Sequence, residues 1–107
     1  MILAKFFVDN KQNFLGFDVK GHSNSAPSGE DIICAAVSSA TFLTVNTLTD
    51  VLYVNADVDV FDDGRITLKI SKNDLKASQS LLRGFYLHMK ALEQQYKDNI
   101  NVVYVEV

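Results

Sequence analysis

Two side chains able to do nucleophilic chemistry stand twelve positions apart in one stretch of this chain, His22 and Cys34. A free cysteine has a pKa of about 8.5 and is mostly thiol at neutral pH, yet the thiolate is the reactive form. A catalytic cysteine therefore needs help. His22 can supply a nearby positive charge or take the proton itself. A helix start just before Cys34 would add a field favouring the anion. A shift of ~3 units corresponds to roughly 4 kcal/mol of preference for the thiolate. The spacing predicts a Cys-His pair suited to acyl transfer, with backbone amides around Ile33, Cys34 and Ala35 facing the developing oxyanion.

The flanking residues fit that chemistry. Gly21-His22-Ser23-Asn24-Ser25-Ala26-Pro27-Ser28-Gly29 contains almost nothing that packs, and reads as an exposed loop with Gly21 and Gly29 as hinges. Asp31 precedes the apolar stretch and is placed to cap a helix, to orient His22, or both. As an anion it would also raise the thiol pKa, so it is not an activator. Ser38 lies one helical turn beyond Cys34, able to touch the site or simply to pack. Ordinary readings stand beside these. A lone cysteine in an apolar helix is often a small core residue, and a lone loop histidine is often just solvated. His88 falls among the apolar residues of a second helical stretch and reads as a partly buried structural histidine. Asp57, Asp59, Asp62 and Asp63 mimic a cation site, but they fall on the wet side of a hairpin and its turn. No metal site and no cofactor is expected.

These residues need elements to position them. Ile2 to Val8 and Phe14 to Val19, joined by Asp9-Asn10-Lys11-Gln12-Asn13, read as a hairpin. A helix is expected from about Ile32 to about Tyr53. Its first turns are small (Ala35, Ala36, Ser38, Ser39, Ala40), and apolar residues on nearly every side predict that it is buried. Asn55 to Phe61 and Ile66 to Ser71 form a second hairpin around Asp62-Asp63-Gly64-Arg65, with glycine where φ must be positive. Asp74 to Asp98 has helical spacing, with Leu81, Phe85, Met89, Leu92 and Tyr96 as its apolar stripe. Ile100 to Val107 alternates as a last strand. The order is strand, strand, helix, strand, strand, helix, strand. It predicts one α+β domain over residues 1–107, a mostly antiparallel sheet packed with two helices.

Composition narrows the function classes. The chain has 107 residues, 48 % hydrophobic and 21 % charged, which suits a single folded domain. One cysteine excludes an internal disulfide and a zinc site built on thiolates. A net charge of −3 argues against direct nucleic-acid binding. No apolar run of membrane-spanning length is read, and Met1 to Val8 is too short for a secretory signal. A cytoplasmic protein without membrane contact is expected.

The run Gly21-His22, then Gly29-Glu30-Asp31-Ile32-Ile33-Cys34-Ala35-Ala36-Val37-Ser38, closely resembles the signature of the ribosomal-processing cysteine protease family, Prp. In that family a Gly-His pair precedes Gly-x-Asp-Ile-x-Cys-Ala-Ala-x-Ser, and each fixed position is matched. The resemblance extends over the whole chain. It implies that Cys34 is the nucleophile and His22 its general base, with Asp31 and Ser38 supporting and Gly21 and Gly29 flanking the site. It also implies removal of a short N-terminal extension from a large-subunit ribosomal protein, cut within an apolar, aromatic sequence, by an enzyme that forms homodimers. Two rival readings of the residues remain: a ribosome-associated binding module without chemistry, and a thiol redox sensor built on Cys34.

Overall fold

The computed structural model describes residues 1–21 and 28–107. Strands β1 (Ile2–Val8), β2 (Phe14–Lys20), β3 (Ala56–Val60), β4 (Ile66–Ile70) and β5 (Ile100–Glu106) form one sheet in the order β3-β4-β2-β1-β5. Helix α1 (Ser28–Asn46) follows β2, and helix α2 (Leu75–Gln95) follows β4. The pairs β3–β4, β4–β2 and β2–β1 are antiparallel, and β5 alone runs parallel to its partner β1. This is the expected α+β architecture.

Each hairpin has a local cause. Asp9 closes the β1–β2 turn, its carboxylate accepting from the amides of Lys11 and Asn13, both at 2.9 Å, and from the Asn13 side chain at 3.1 Å. Those bonds, the Asn13 amide first, hold its carboxyl below the ordinary value. The register slips after Phe7, and there α2 clips the strand from above: the Gln79 amide accepts from Phe14 N–H at 2.7 Å and donates to Phe14 C=O at 2.8 Å. In the β3–β4 turn Gly64 takes φ +90°, as its place in the sequence predicts.

One face of the sheet carries the core. Phe6 and Phe17 are fully buried and meet Phe85 of α2, with ring centroids 5.4 and 5.0 Å away. Phe14 lies 6.0 Å from Phe6 and 5.8 Å from Tyr86, and Tyr86 stacks on Tyr104 of β5 at 4.6 Å. Helix α2 buries Ser78, Leu82, Phe85 and Met89. The expected stripe is thus turned by part of a helical step: Leu81, Leu92 and Tyr96 are only half-buried, and Leu82 is the innermost leucine. The sequence pattern missed this because Ser78, a polar residue, sits at the buried seam with its hydroxyl donating to Leu75 C=O at 2.8 Å.

Helix α1 departs further from expectation. It begins at Ser28 rather than near Ile32, and continues past Asn46 as a π-helical turn, Thr47–Val51. Tyr53, at φ +53°, ends it where the sequence predicts. It buries Ile33, Val37, Thr41, Thr44, Val45 and Leu48, yet Ile32, Phe42 and Leu43 are 68 %, 43 % and 67 % exposed. It is a one-sided helix with an apolar outer face, not a helix buried all round. Its threonines survive burial by bonding back one turn: Thr41 to Val37 C=O at 2.7 Å and Thr44 to Ala40 C=O at 2.8 Å. Ile32–Val51 also has a mean hydropathy of 1.5, enough in length and composition to cross a membrane. That corrects the absence of such a run inferred from the sequence, where interspersed Ser and Thr break it up for the eye. Here its inner face packs against the sheet.

Candidate active site

Cys34 sits on the helix that leaves the sheet after β2. Its neighbours Ile33 and Val37, 5 % and 0 % exposed, anchor that turn in the core. Cys34 itself is half-buried and packs against the same cluster. Ala35 is exposed and Ala36 half-exposed, so the residues next to the thiol are small and open to an incoming chain. Ser38, one turn on, is half-buried on the same helix.

The longer helix changes the electrostatics expected at the thiol. With α1 starting at Ser28, Asp31 lies inside its first turn rather than at its cap, and Cys34 lies in its second turn. Only the first four amides of a helix lack an intrahelical partner. The amides of Ile33, Cys34 and Ala35 are therefore inside the helical ladder and are not a ready oxyanion hole. The helix field also fades beyond the first turn. Both corrections shift the burden of activating the thiol onto a side-chain base.

The other predicted residues are placed as follows. His22 lies outside the described residues. Gly29 belongs to the first turn of α1, not to a loop. Gly21 has φ +97°, and a Cβ there would come within 2.2 Å of Met1 C=O. A glycine is required where β2 exits across the start of β1, a structural reason the loop reading did not contain. His88 is exposed, not partly buried, and borders an apolar groove between the helices lined by Ala40, Leu43, Leu81 and Gly84. The groove volume is about 500 Å³. Its lining includes Ala36, Ser39 and Thr44 of α1 but not Cys34. Among the described residues no three His, Cys, Asp or Glu side chains converge on a common point.

The sequence reading also passed over Asp18 and Arg65. Arg65 grips Asp18 with Nε at 3.0 Å and a terminal nitrogen at 2.8 Å, and Asp18 is 6 % exposed. The guanidinium also lies 5.2 Å from the Phe61 ring centroid. This pair fixes the tip of the β3–β4 hairpin to β2, one residue pair from where β2 leads to α1. Asp18 stands among apolar strand residues, the only signal in the sequence that it needs a buried partner.

Any thiol chemistry on this scaffold falls to Cys34, since the chain has one cysteine. That sets the protein apart from disulfide-built and thiolate-metal proteins. Comparison with known proteins makes the class specific: residues 1–101 match the family described as Cysteine protease Prp, and the chain belongs to that family. It is a cysteine protease. The ribosomal processing cysteine protease Prp of Bacillus subtilis is 27 % identical, over 95 % of this chain and 96 % of its own length. The fold matches that of an S. aureus Prp protease crystallised with a substrate peptide, with a TM-score of 0.89 and 22 % identity, covering 98 % of this chain and all of the other. The same S. aureus protease with a covalently linked product peptide gives a TM-score of 0.86 at 23 % identity, again over 98 % of this chain and all of the other.

Proposed function

We propose that this protease uses Cys34 as nucleophile and His22 as general base to remove the N-terminal extension of a large-subunit ribosomal protein. One observation carries the reading: a cysteine protease with a single cysteine has only one candidate nucleophile, and it stands half-buried beside small, open neighbours. Of the two histidines, His88 faces a groove whose lining omits Cys34, which favours His22. The ribosomal substrate is supported by the naming of the Bacillus subtilis relative and by the family signature around Cys34.

In the proposed reaction His22 takes the thiol proton and the Cys34 sulfur attacks the scissile carbonyl. The C–S bond forms, the C–N bond breaks, and His22 returns the proton to the leaving amine. His22 then deprotonates a water, which attacks the thioester; the sulfur leaves and the acid product is released. Asp31 and Ser38 are assigned supporting places near the pair. The enzyme works in the cytoplasm as a homodimer. The exposed apolar face of α1, with Phe42 and Leu43, and Leu87 of α2, 55 % exposed, support a self-associating surface.

Intact-mass analysis of the extended ribosomal protein tests the reading. Wild type should make a single cut, Cys34→Ala none, and His22→Ala one slowed by about 10²–10⁴-fold. His88→Ala should match wild type. Cleavage by Cys34→Ala, or an uncut substrate with wild type, would overturn it.

A further inference from the structure

We infer that the free edge of β3 is the peptide-docking site, taking the substrate as an added strand; this rests on the protease reading above. The backbone phase of β3 is fixed by its ends. Phe61 N–H donates to Arg65 C=O at 2.8 Å, and Ser71 N–H donates to Asn55 C=O at 2.9 Å. With the register Asp57↔Lys69 and Asp59↔Thr67, odd-numbered residues turn their backbone groups toward β4. The N–H and C=O groups of Ala56, Val58 and Val60 therefore point outward, and among the described residues nothing is bonded to them. They are a three-residue template for an extended chain.

The opposite edge of the sheet is closed over its first half only, because the even-numbered residues of β5 face away from β1 and two of them are bonded. Ile100 N–H donates to Tyr96 C=O at 3.1 Å, and Val102 N–H to the Glu93 carboxylate at 2.6 Å. Tyr104 and Glu106 also face outward there, so the choice between the edges rests on position and charge.

Position and charge choose the occupant. β3 runs parallel to β2, because each is antiparallel to β4, so both strands end at the same end of the sheet. The chain leaves β2 at that end for α1, the helix that carries Cys34. Beside it Val60 is 59 % and Phe61 44 % exposed, a surface for apolar side chains. On the outer face Asp57 and Asp59 flank the edge, with Asp62 and Asp63 at the tip. Two copies paired through β3 would oppose like charges, whereas a strand with basic residues at alternate positions meets opposite ones. A segment of a protein that sits on RNA has that character.

The test is backbone amide hydrogen exchange on the full chain carrying Cys34→Ala, with and without a synthetic peptide spanning the junction between extension and ribosomal protein. The amides of Ala56, Val58 and Val60 should slow at least tenfold when peptide is bound, while those of Tyr104 and Glu106 do not change. Val58→Pro removes one outward donor and leaves the β4 ladder intact. It should weaken peptide binding by about tenfold, with Val58→Thr binding as wild type. Bound peptide without slowed exchange at β3, or no binding at all, overturns the inference. Cleavage by wild type together with an unprotected edge sinks the docking site alone. A protected edge with no cleavage by wild type sinks the protease reading alone.

Discussion

The two halves of the sheet are built on different plans. The β1–β5 half, under α2, is aromatic and partly sealed: Phe6, Phe14, Phe85, Tyr86 and Tyr104 interlock, and Glu93 reaches over to occupy the edge amide of Val102. The β3–β4 half ends in a short, acidic strand whose outer side is open, and Cys34 lies on α1, a helix of small and β-branched residues packed against α2. The first plan gives rigidity, because large rings leave few alternative packings. The second gives up contact area and keeps access. The molecule concentrates its large rings on one side of the sheet and leaves a short, acidic edge on the other.

The contrast can be broken most forcefully from the rigid side. Phe6→Ala should cost about 3–5 kcal/mol by urea unfolding, whereas Val60→Ala on the open side should stay within about 0.5 kcal/mol. Comparable losses from the two would dissolve the distinction. A smaller effect is expected at the seal. Glu93→Gln should lose about 1 kcal/mol at neutral pH. Lys90, at 2.7 Å, and the Val102 amide hold the Glu93 carboxyl below its ordinary value of 4.5. A lowered carboxyl stabilises the fold above the unfolded pKa and loses that contribution as pH falls through the folded one. The gap between wild type and Glu93→Gln should therefore be full above about pH 4.5 and close below it; a gap independent of pH would refute the charge-based seal.

At the alkaline end the same half supplies a second handle. Burial, then a hydrogen bond with Tyr104, pushes the Tyr86 phenol from 10.0 up to about 12. A phenol raised on folding stabilises the protein fully below pH 10.0 and loses that contribution as pH climbs toward about 12. Titration by tyrosinate absorbance should show one late-ionising tyrosine, missing in Tyr86→Phe. The smallest effect sharpens the comparison from the open side: Val58→Thr keeps a β-branched residue on an edge and should leave the unfolding free energy within about 0.5 kcal/mol of wild type by urea titration.

What the sequence revealed follows the same division. Both hairpins and the last strand were legible because their apolar residues alternate and their turns carry Asp, Asn and Gly. The α1 boundary was not, since Ser28-Gly29-Glu30 carries loop-like residues ahead of the apolar run. The outer face of α1 read as buried because composition records which side chains are apolar, not which way a helix is turned. The Cys34 motif was visible from residue types alone. The environment of the thiol was not, because it depends on where the helix starts. The Asp18–Arg65 grip joins residues far apart in the chain, and only the β2–β4 register brings them together.

Strand β1 has a further consequence for how the protein is made. Its permanent neighbours are β2, beside it in sequence, and β5, at the far end of the described chain. During synthesis β1 can pair with β2 early, while its other flank stays exposed until Ile100–Glu106 have emerged. Through that interval an apolar, aromatic strand, Ile2–Val8, presents an unguarded flank to other nascent chains. The β1–β5 pairing therefore cannot form until β5 has been made, and until then that flank of β1 is open to other chains. Overexpression at high temperature should fail first through that flank, well before the finished fold approaches its own melting point.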